Sequence, residues 1–419
     1  MTTSATDNEV VAQKAARGTM ASLILRILSF VCTQWTIRVL DPSTLGRASI
    51  QLELLLTSVL FVSREGFRLA LTRQISENNW TVAWLSIPTA TLVSLVALVW
   101  HLHHVSWAAE SQDERDYKLA GILFCIACCI EGWAEPAALA ALRRMDVTSK
   151  ATAEGVATLA KTATTVVALQ VNQDWPITAF GIAQIVYACV YAVVLYVRSW
   201  RDLKRPTSSS LDWHSVYLVF VFTLQGFFKH LLTEADRIVL TLFSGTYDQG
   251  VYAMGSAYGG MAARMILQPV EENARLLWSR LDGAKSPSKT KEGPKQTEPL
   301  YQSYVALVKV ILYVGLVFSC FAINYTTILI NLLAGKKWGS NNEAAAVLSA
   351  FCVYTGFMAW NGMTEAFVYA VASSGVDVGQ LSLVHTVVGL VFAGAAYVTV
   401  PRYGTVGLVT GKYLSRALH

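Results

Sequence analysis

Apolar stretches long enough to cross a bilayer recur along this chain from end to end, separated by short turn or charge signals. A membrane-spanning helix needs about 20 predominantly apolar residues, and in lipid only helices or closed barrels satisfy every backbone polar group. Runs of that kind fall at 19–40, 47–64, 82–102, 118–141, 151–171, 177–197, 213–243, 250–270, 302–331, 343–372, 378–400 and 403–417. They predict an all-α polytopic membrane protein with about twelve transmembrane helices. Composition agrees: 54% of the 419 residues are hydrophobic and only 15% are charged, against about 25% charged in soluble domains. The net charge of +5 comes without basic runs interleaved with aromatics, so no nucleic-acid partner is expected.

Charge placement sets the expected topology. Residues 1–18 are polar and lack the apolar core of a cleavable signal peptide, which leaves targeting to the first span. With a cytosolic N-terminus, the loops on that side carry most of the Lys and Arg. These include Arg64, Arg68, Arg73, Arg143, Arg144, Lys150, Arg198, Arg201, Lys204 and Arg205, and the Lys-rich stretch after the eighth span. That is the positive-inside arrangement. The expected organisation is a cytosolic tail at 1–18, a transmembrane lobe at 19–197, a cytosolic linker at 198–212, and a second lobe at 213–419. The second lobe would carry a flexible cytosolic loop at 279–300. Of two glycosylation sequons, Asn79-Trp80-Thr81 falls on the cytosolic side and Asn324-Tyr325-Thr326 inside a span, so neither is expected to carry sugar. The seven cysteines all lie in apolar runs and read as small core residues, not as a disulfide framework or a metal pair.

Ionised groups inside hydrocarbon cost about 3 kcal/mol each even on the mildest scale, and they normally face protein or a water-filled cavity. They are densest between Phe227 and Glu272: Lys229, Glu234, Asp236, Arg237, Arg264, Glu271 and Glu272. Spacing puts Lys229, Thr233 and Asp236 on one helix face, with His230, Glu234 and Arg237 on the adjacent stripe. The cluster reads either as internal pairing or as the polar wall of a translocation cavity. In SREGFR, Arg64 and Arg68 are one turn apart on one face, with Glu65 three residues before Arg68. Two such guanidinium groups repel unless an anion intervenes, and their planar forks suit a diphosphate; the plainer reading is two snorkelling cytosolic arginines. Arg26 and Arg38 interrupt the first span, Glu131 and Glu135 are one turn apart on the fourth, and Glu154 and Lys161 share a face of the fifth. Without a facing partner, the two glutamates read as cavity lining or helix pairing in preference to an acid–base pair. Glu365 lies beside Gly362, which would let helices approach closely, and Gly255 and Gly259 suggest tight packing too. His101, His103 and His104 have no completing carboxylate or Cys nearby, so no metal site is expected. Neither a G-x-x-x-x-G-K-[ST] loop nor an Asp-x-Asp pair occurs, and no nucleotide, cofactor or catalytic group is expected.

Several segments together resemble the Rft family of endoplasmic-reticulum proteins, part of the multidrug, oligosaccharidyl-lipid and polysaccharide exporter superfamily. They are RILSFVCTQWTIRVL, LLLTSVLFVSREGFRLAL, EGWAEP, FFKHLLTEADRIVLTLF with DQGVY, RMILQPVEEN and NGMTEAF, in family order from Arg26 to Phe367. The resemblance implies two six-helix lobes around a shared cavity and an endoplasmic-reticulum address. It also implies a part in translocating Man5GlcNAc2-PP-dolichol for N-glycosylation, with the dolichol-linked oligosaccharide and membrane lipid as partners. Family positions carried over as cavity residues are Arg26, Arg38, Arg64, Glu65, Arg68, Glu135, Lys229, Glu234, Arg237, Arg264, Gln268, Glu271, Glu272 and Glu365. One departure is that family members continue for two more spans beyond KYLSRALH. Three other readings stay open. A cation-coupled small-molecule exporter would use Glu131, Glu135 and Glu365, and a membrane glycosyltransferase would need a larger lumenal loop than HLHHVSWAAESQDERDY. A non-transporting assembly factor would bind the same lipid.

Overall fold

The computed structural model describes residues 31–73, 80–104, 111–144, 146–203, 212–283, 298–339, 342–371 and 375–418, and within them it is helical apart from turns. The elements are α1 (31–39), α2 (Pro42–Gly46), α3 (Glu53–Arg73), α4 (Trp80–Trp84), α5 (Ser86–His104), α6 (Gln112–Trp133), α7 (Glu135–Arg143), α8 (Val147–Val171) and α9 (Pro176–Ser199). There follow α10 (Trp213–Thr233), α11 (Ala235–Phe243), α12 (Thr246–Ala262), α13 (Gln268–Gly283), α14 (Glu298–Cys320), α15 (Thr326–Leu333), α16 (Lys336–Gly339), α17 (Asn342–Val371) and α18 (Gly375–Leu418). Among the described residues, seven helical runs are long and apolar enough to cross a membrane.

Apolar side chains cover the outside of these helices in stripes. On α5, Leu92, Val96 and Val99 are 61%, 61% and 60% exposed, and α10 shows the same with Tyr217, Phe220 and Leu224. Leaving such surface in water would cost about 25 cal/mol per Å², so continuous stripes of this kind belong against lipid tails. Buried polar groups are partnered instead. Asp116, 2% exposed, accepts from the Ile177 and Thr178 backbone N–H groups at 2.7 Å each and from the Thr178 hydroxyl at 2.5 Å. A carboxylate there satisfies the open N–H groups at the start of α9.

Contacts divide the chain into two compact units. The first takes the chain up to Leu40 together with Leu52–His230; the second takes Asp41–Gln51 and the chain from Leu231 onward. In the first, α9 packs on α6 and α8, and α5 on α3 and α6. The short α7 is buried from Glu135 to Ala141, its alanines letting neighbouring backbones close in. In the second, α17 is the central post, against α12, α13, α14 and α18. A Cβ on Gly255 or Gly259 would press on Phe351 at 2.7–3.4 Å, as their spacing suggested. The segment Asp41–Gln51 lies against α12, where Gly46 and Gly250 leave no room for a Cβ: one would meet the Thr246 backbone, the other the Pro42 carbonyl.

Helix breaks are where sequence expectation and structure differ. The expected single span at 213–243 is two helices, with Glu234 outside both. The expected span at 302–331 is interrupted by a 3-10 turn, Ala322–Tyr325, which leaves Asn324 exposed on that turn within the apolar run Leu300–Leu333. The fourth span divides at Ala134, where Pro136 opens α7. Proline fits the first turn of a helix but not its interior, which places the break there. Around the expected loop 279–300, α13 runs to Gly283 and α14 starts at Glu298. Two cysteines depart from the core reading as well: all seven are free, but Cys189 and Cys320 are exposed on helix surfaces.

Candidate functional site

The densest set of charges in the first unit forms two ion pairs stacked one helical turn apart. On α3, Arg64 and Arg68 are separated by four residues and share a face. Glu131 near the end of α6 and Glu135 at the start of α7 have the same separation across the Ala134 break. Arg64 donates from Nη1 to Glu131 Oε1 at 2.6 Å. Arg68 grips Glu135 with two bonds, Nε to Oε1 at 2.5 Å and Nη2 to Oε2 at 2.7 Å. The expectation that Glu131 and Glu135 lack a facing partner is therefore corrected; Glu65, on the same helix as the arginines, is half-buried. Each arginine has its own carboxylate, reached from two helices away.

The two pairs differ in closure. Arg68–Glu135 is bidentate, with side chains 15% and 1% exposed. Arg64–Glu131 has one hydrogen bond, Arg64 remains 24% exposed, and Glu131, 5% exposed, leaves Oε2 buried with no partner. Tyr187 and Tyr191 on α9 stack beside them, ring centroids 5.9 Å apart. Their electrostatic neighbours include Arg64, Arg68, Glu131 and Glu135. Lys161 on α8 has its ammonium 6.0 Å from the Tyr187 ring centroid. Its expected face-mate Glu154 lies 3.8 Å from Lys150.

The predicted face of Lys229, Thr233 and Asp236 is interrupted, because α10 ends at Thr233 and α11 starts at Ala235. Glu234 and Arg237 pair at 2.9 Å, while Asp236 accepts from the Tyr252 hydroxyl at 2.7 Å. His230 belongs to the first unit, against Ser58 at 3.2 Å and stacked on Phe61. Glu271 lies over Gly362, where any Cβ would collide with its carboxylate, so that glycine admits an acid and not merely a helix. Glu365 is half-buried on the same helix α17, while Gln268, Glu272 and Arg38 are exposed. Arg26 and the side chains of Lys229 and Arg264 lie outside the described residues.

Sequence reasoning passed over Gln249. It is 1% exposed, donates to the Leu240 and Ser244 carbonyls at 3.2 and 3.0 Å, and accepts from Gln51 at 2.9 Å. It thereby closes the C-terminal end of α11 and ties Asp41–Gln51 to α12. A Gln inside the quoted run DQGVY was the available signal. Among the described residues no group of three or more His, Cys, Asp or Glu could hold a metal ion.

A Xenopus tropicalis protein named Man(5)GlcNAc(2)-PP-dolichol translocation protein RFT1 is 26% identical over 433 residues, covering 96% of this chain and 79% of its own length. The Yarrowia lipolytica protein of the same name is 28% identical, covering 99% and 70%. Among solved structures, the inward closed conformation of the lipid II flippase MurJ aligns with TM-score 0.67 at 10% identity, covering 95% of this chain and 85% of that one. An inward-facing multidrug resistance MATE family transporter of the MOP superfamily aligns with TM-score 0.61 at 14% identity, covering 93% and 92%. At such identities the likeness is one of fold: an all-helical transporter-type membrane architecture. The sequence profile of the Rft protein family matches residues 12–414, nearly the whole length, and the chain belongs to that family.

Proposed function

We propose that this protein moves Man5GlcNAc2-PP-dolichol, or assists its movement, from the cytosolic to the lumenal leaflet of the endoplasmic-reticulum membrane, without catalysing a reaction on it. The observation that carries the reading is the family match over residues 12–414, with relatives named for that translocation. Two arginines held in a membrane-spanning segment add a chemical reason, since guanidinium is the side chain best matched to phosphate oxygens. A polyprenyl tail can remain in lipid, so only the diphosphate and sugars need a polar path. About twelve spans in two bundles, with the N-terminus in the cytosol, is the arrangement that goes with this reading. Arg26, Arg38, Lys229, Glu234, Arg237, Arg264, Gln268, Glu271, Glu272 and Glu365 are proposed to line that path.

The test is reconstitution of the full chain into liposomes carrying a diphosphate-linked oligosaccharide on a polyprenol, with headgroup accessibility to an external sugar-binding probe followed over time. Protein-dependent exchange between leaflets is expected. Purified, folded protein that neither binds the glycolipid nor exchanges it would overturn the proposal.

A further inference from the structure

The two arginine–glutamate pairs are alike in spacing and unlike in what they leave unused. Arg68 and Glu135 consume each other: both carboxylate oxygens accept, and Glu135 has the open N–H groups at the start of α7 beside it. Arg64 spends one Nη1 bond on Glu131, keeps its other N–H donors, and is the more exposed of the two arginines. Glu131 Oε2 is buried with no donor, a costly state that a fixed structural pair would have closed by rotating into the bidentate form.

We propose that Arg64 is the arginine of this pair that takes the diphosphate headgroup, that Glu131 is the resident anion competing with the diphosphate for it, and that Arg68–Glu135 is a fixed strut. The inference rests on the function proposed above. With no headgroup bound, Glu131 balances the charge of Arg64 within the spanning segment, where an uncompensated guanidinium would be expensive. A diphosphate offers more acceptor oxygens and more negative charge than one carboxylate, so it captures the donors that Glu131 leaves idle. Glu131 then keeps the Arg68 guanidinium one turn away as a neighbouring positive charge, and the Tyr187 and Tyr191 side chains are near both pairs. Arg68 cannot play the same part, since engaging a ligand would require breaking both of its bonds to a carboxylate 1% exposed.

The competition gives removal of Glu131 a sign opposite to loss of function. The probe is chitobiosyl diphosphate on a short isoprenoid, titrated against the purified full chain, with thermal melting as the fold check. Glu131→Gln should bind about tenfold more tightly than the unchanged protein, from freeing one charged hydrogen bond. Arg64→Gln should lose most of the affinity, and Glu135→Gln should melt earlier without tightening. Should Glu131→Gln fail to melt cooperatively, Glu131→Asp is read instead; it draws the carboxylate back from Arg64 and must also tighten binding. A folded Glu131 variant that binds no better than the unchanged protein overturns the competition and leaves the translocation reading standing. Absence of binding by both the unchanged protein and Glu131→Gln overturns the two together.

Discussion

Breaking the Arg68–Glu135 pair should destabilise the protein far more than replacing it whole. The two hydrogen bonds, 2.5 and 2.7 Å, join side chains 15% and 1% exposed. Glu135→Leu leaves a guanidinium in an apolar bundle without its counter-charge, and removing one partner of a buried pair costs about 3–5 kcal/mol. Arg68→Met does the same to the carboxylate. The double variant Arg68→Met with Glu135→Leu removes both charges and fills similar volume, so it should recover to within about 1–2 kcal/mol of the unchanged protein. At about 2 °C per kcal/mol for a large bundle, the single variants should melt about 6–10 °C lower and the double about 2–4 °C lower. Tryptophan fluorescence of the detergent-purified protein during heating reads all three. The coupling energy of the cycle isolates the pair, because the two residues contact each other directly. A double variant as unstable as the worse single one would refute the strut and show that one of the residues does something other than hold its partner.

Four further outcomes follow from the packing and the local chemistry. Gly250→Val should cost about 1–3 kcal/mol, read as a lowered melting temperature, because its side chain would displace the Pro42 backbone. Gln249→Ala should cost about 2 kcal/mol and speed amide exchange at the end of α11, since the Leu240 and Ser244 carbonyls lose a buried donor. Cys189 and Cys320, exposed on helix surfaces, should resist a charged thiol reagent while the protein is in a bilayer and react with an apolar maleimide; equal labelling by both would place those surfaces in water. Asp146 caps α8 through the Ser149 N–H and hydroxyl, which hold its carboxyl below the usual carboxylate range. A folded-state value depressed in this way contributes stability above the unfolded value, and that contribution is lost as pH falls through the folded one. Amide protection in the first turn of α8 should therefore decline with acid in the unchanged protein and be low at every pH in Asp146→Ala.

Much of the fold was legible because lipid makes unusual demands on sequence. Apolar runs fix where helices cross, and the exposed stripes on α5 and α10 are those runs seen from outside. Breaks were legible only where a residue forces them. Pro136 announces the start of α7, and Gly404, with φ of 58°, marks the bend inside α18 near the expected boundary between the last two spans. The break at Glu234 has neither proline nor glycine beside it; Glu234 pairs locally with Arg237, while the Asp236–Tyr252 bond beside it depends on a neighbour on another helix. For the same reason the partners of the arginines could not be read from local spacing alone.

One signal was nonetheless present. Arg64 and Arg68 on the second expected span, and Glu131 and Glu135 on the fourth, are each separated by one helical turn. Spans two apart in an up-and-down chain cross in the same direction. Opposite charges with matched spacing on parallel helices can pair in register, so 64 meets 131 and 68 meets 135 at the same sequence separation. What spacing could not reveal is that the Ala134 break turns the second glutamate onto a new helix end while leaving the first on the old one. That break gives two pairs of identical composition different completeness, one sealed by two bonds and the other left with an idle carboxylate oxygen and idle guanidinium donors. Equal residues in equal register would otherwise be expected to behave equally, and a fold that makes them unequal separates a support from a group free to exchange its partner.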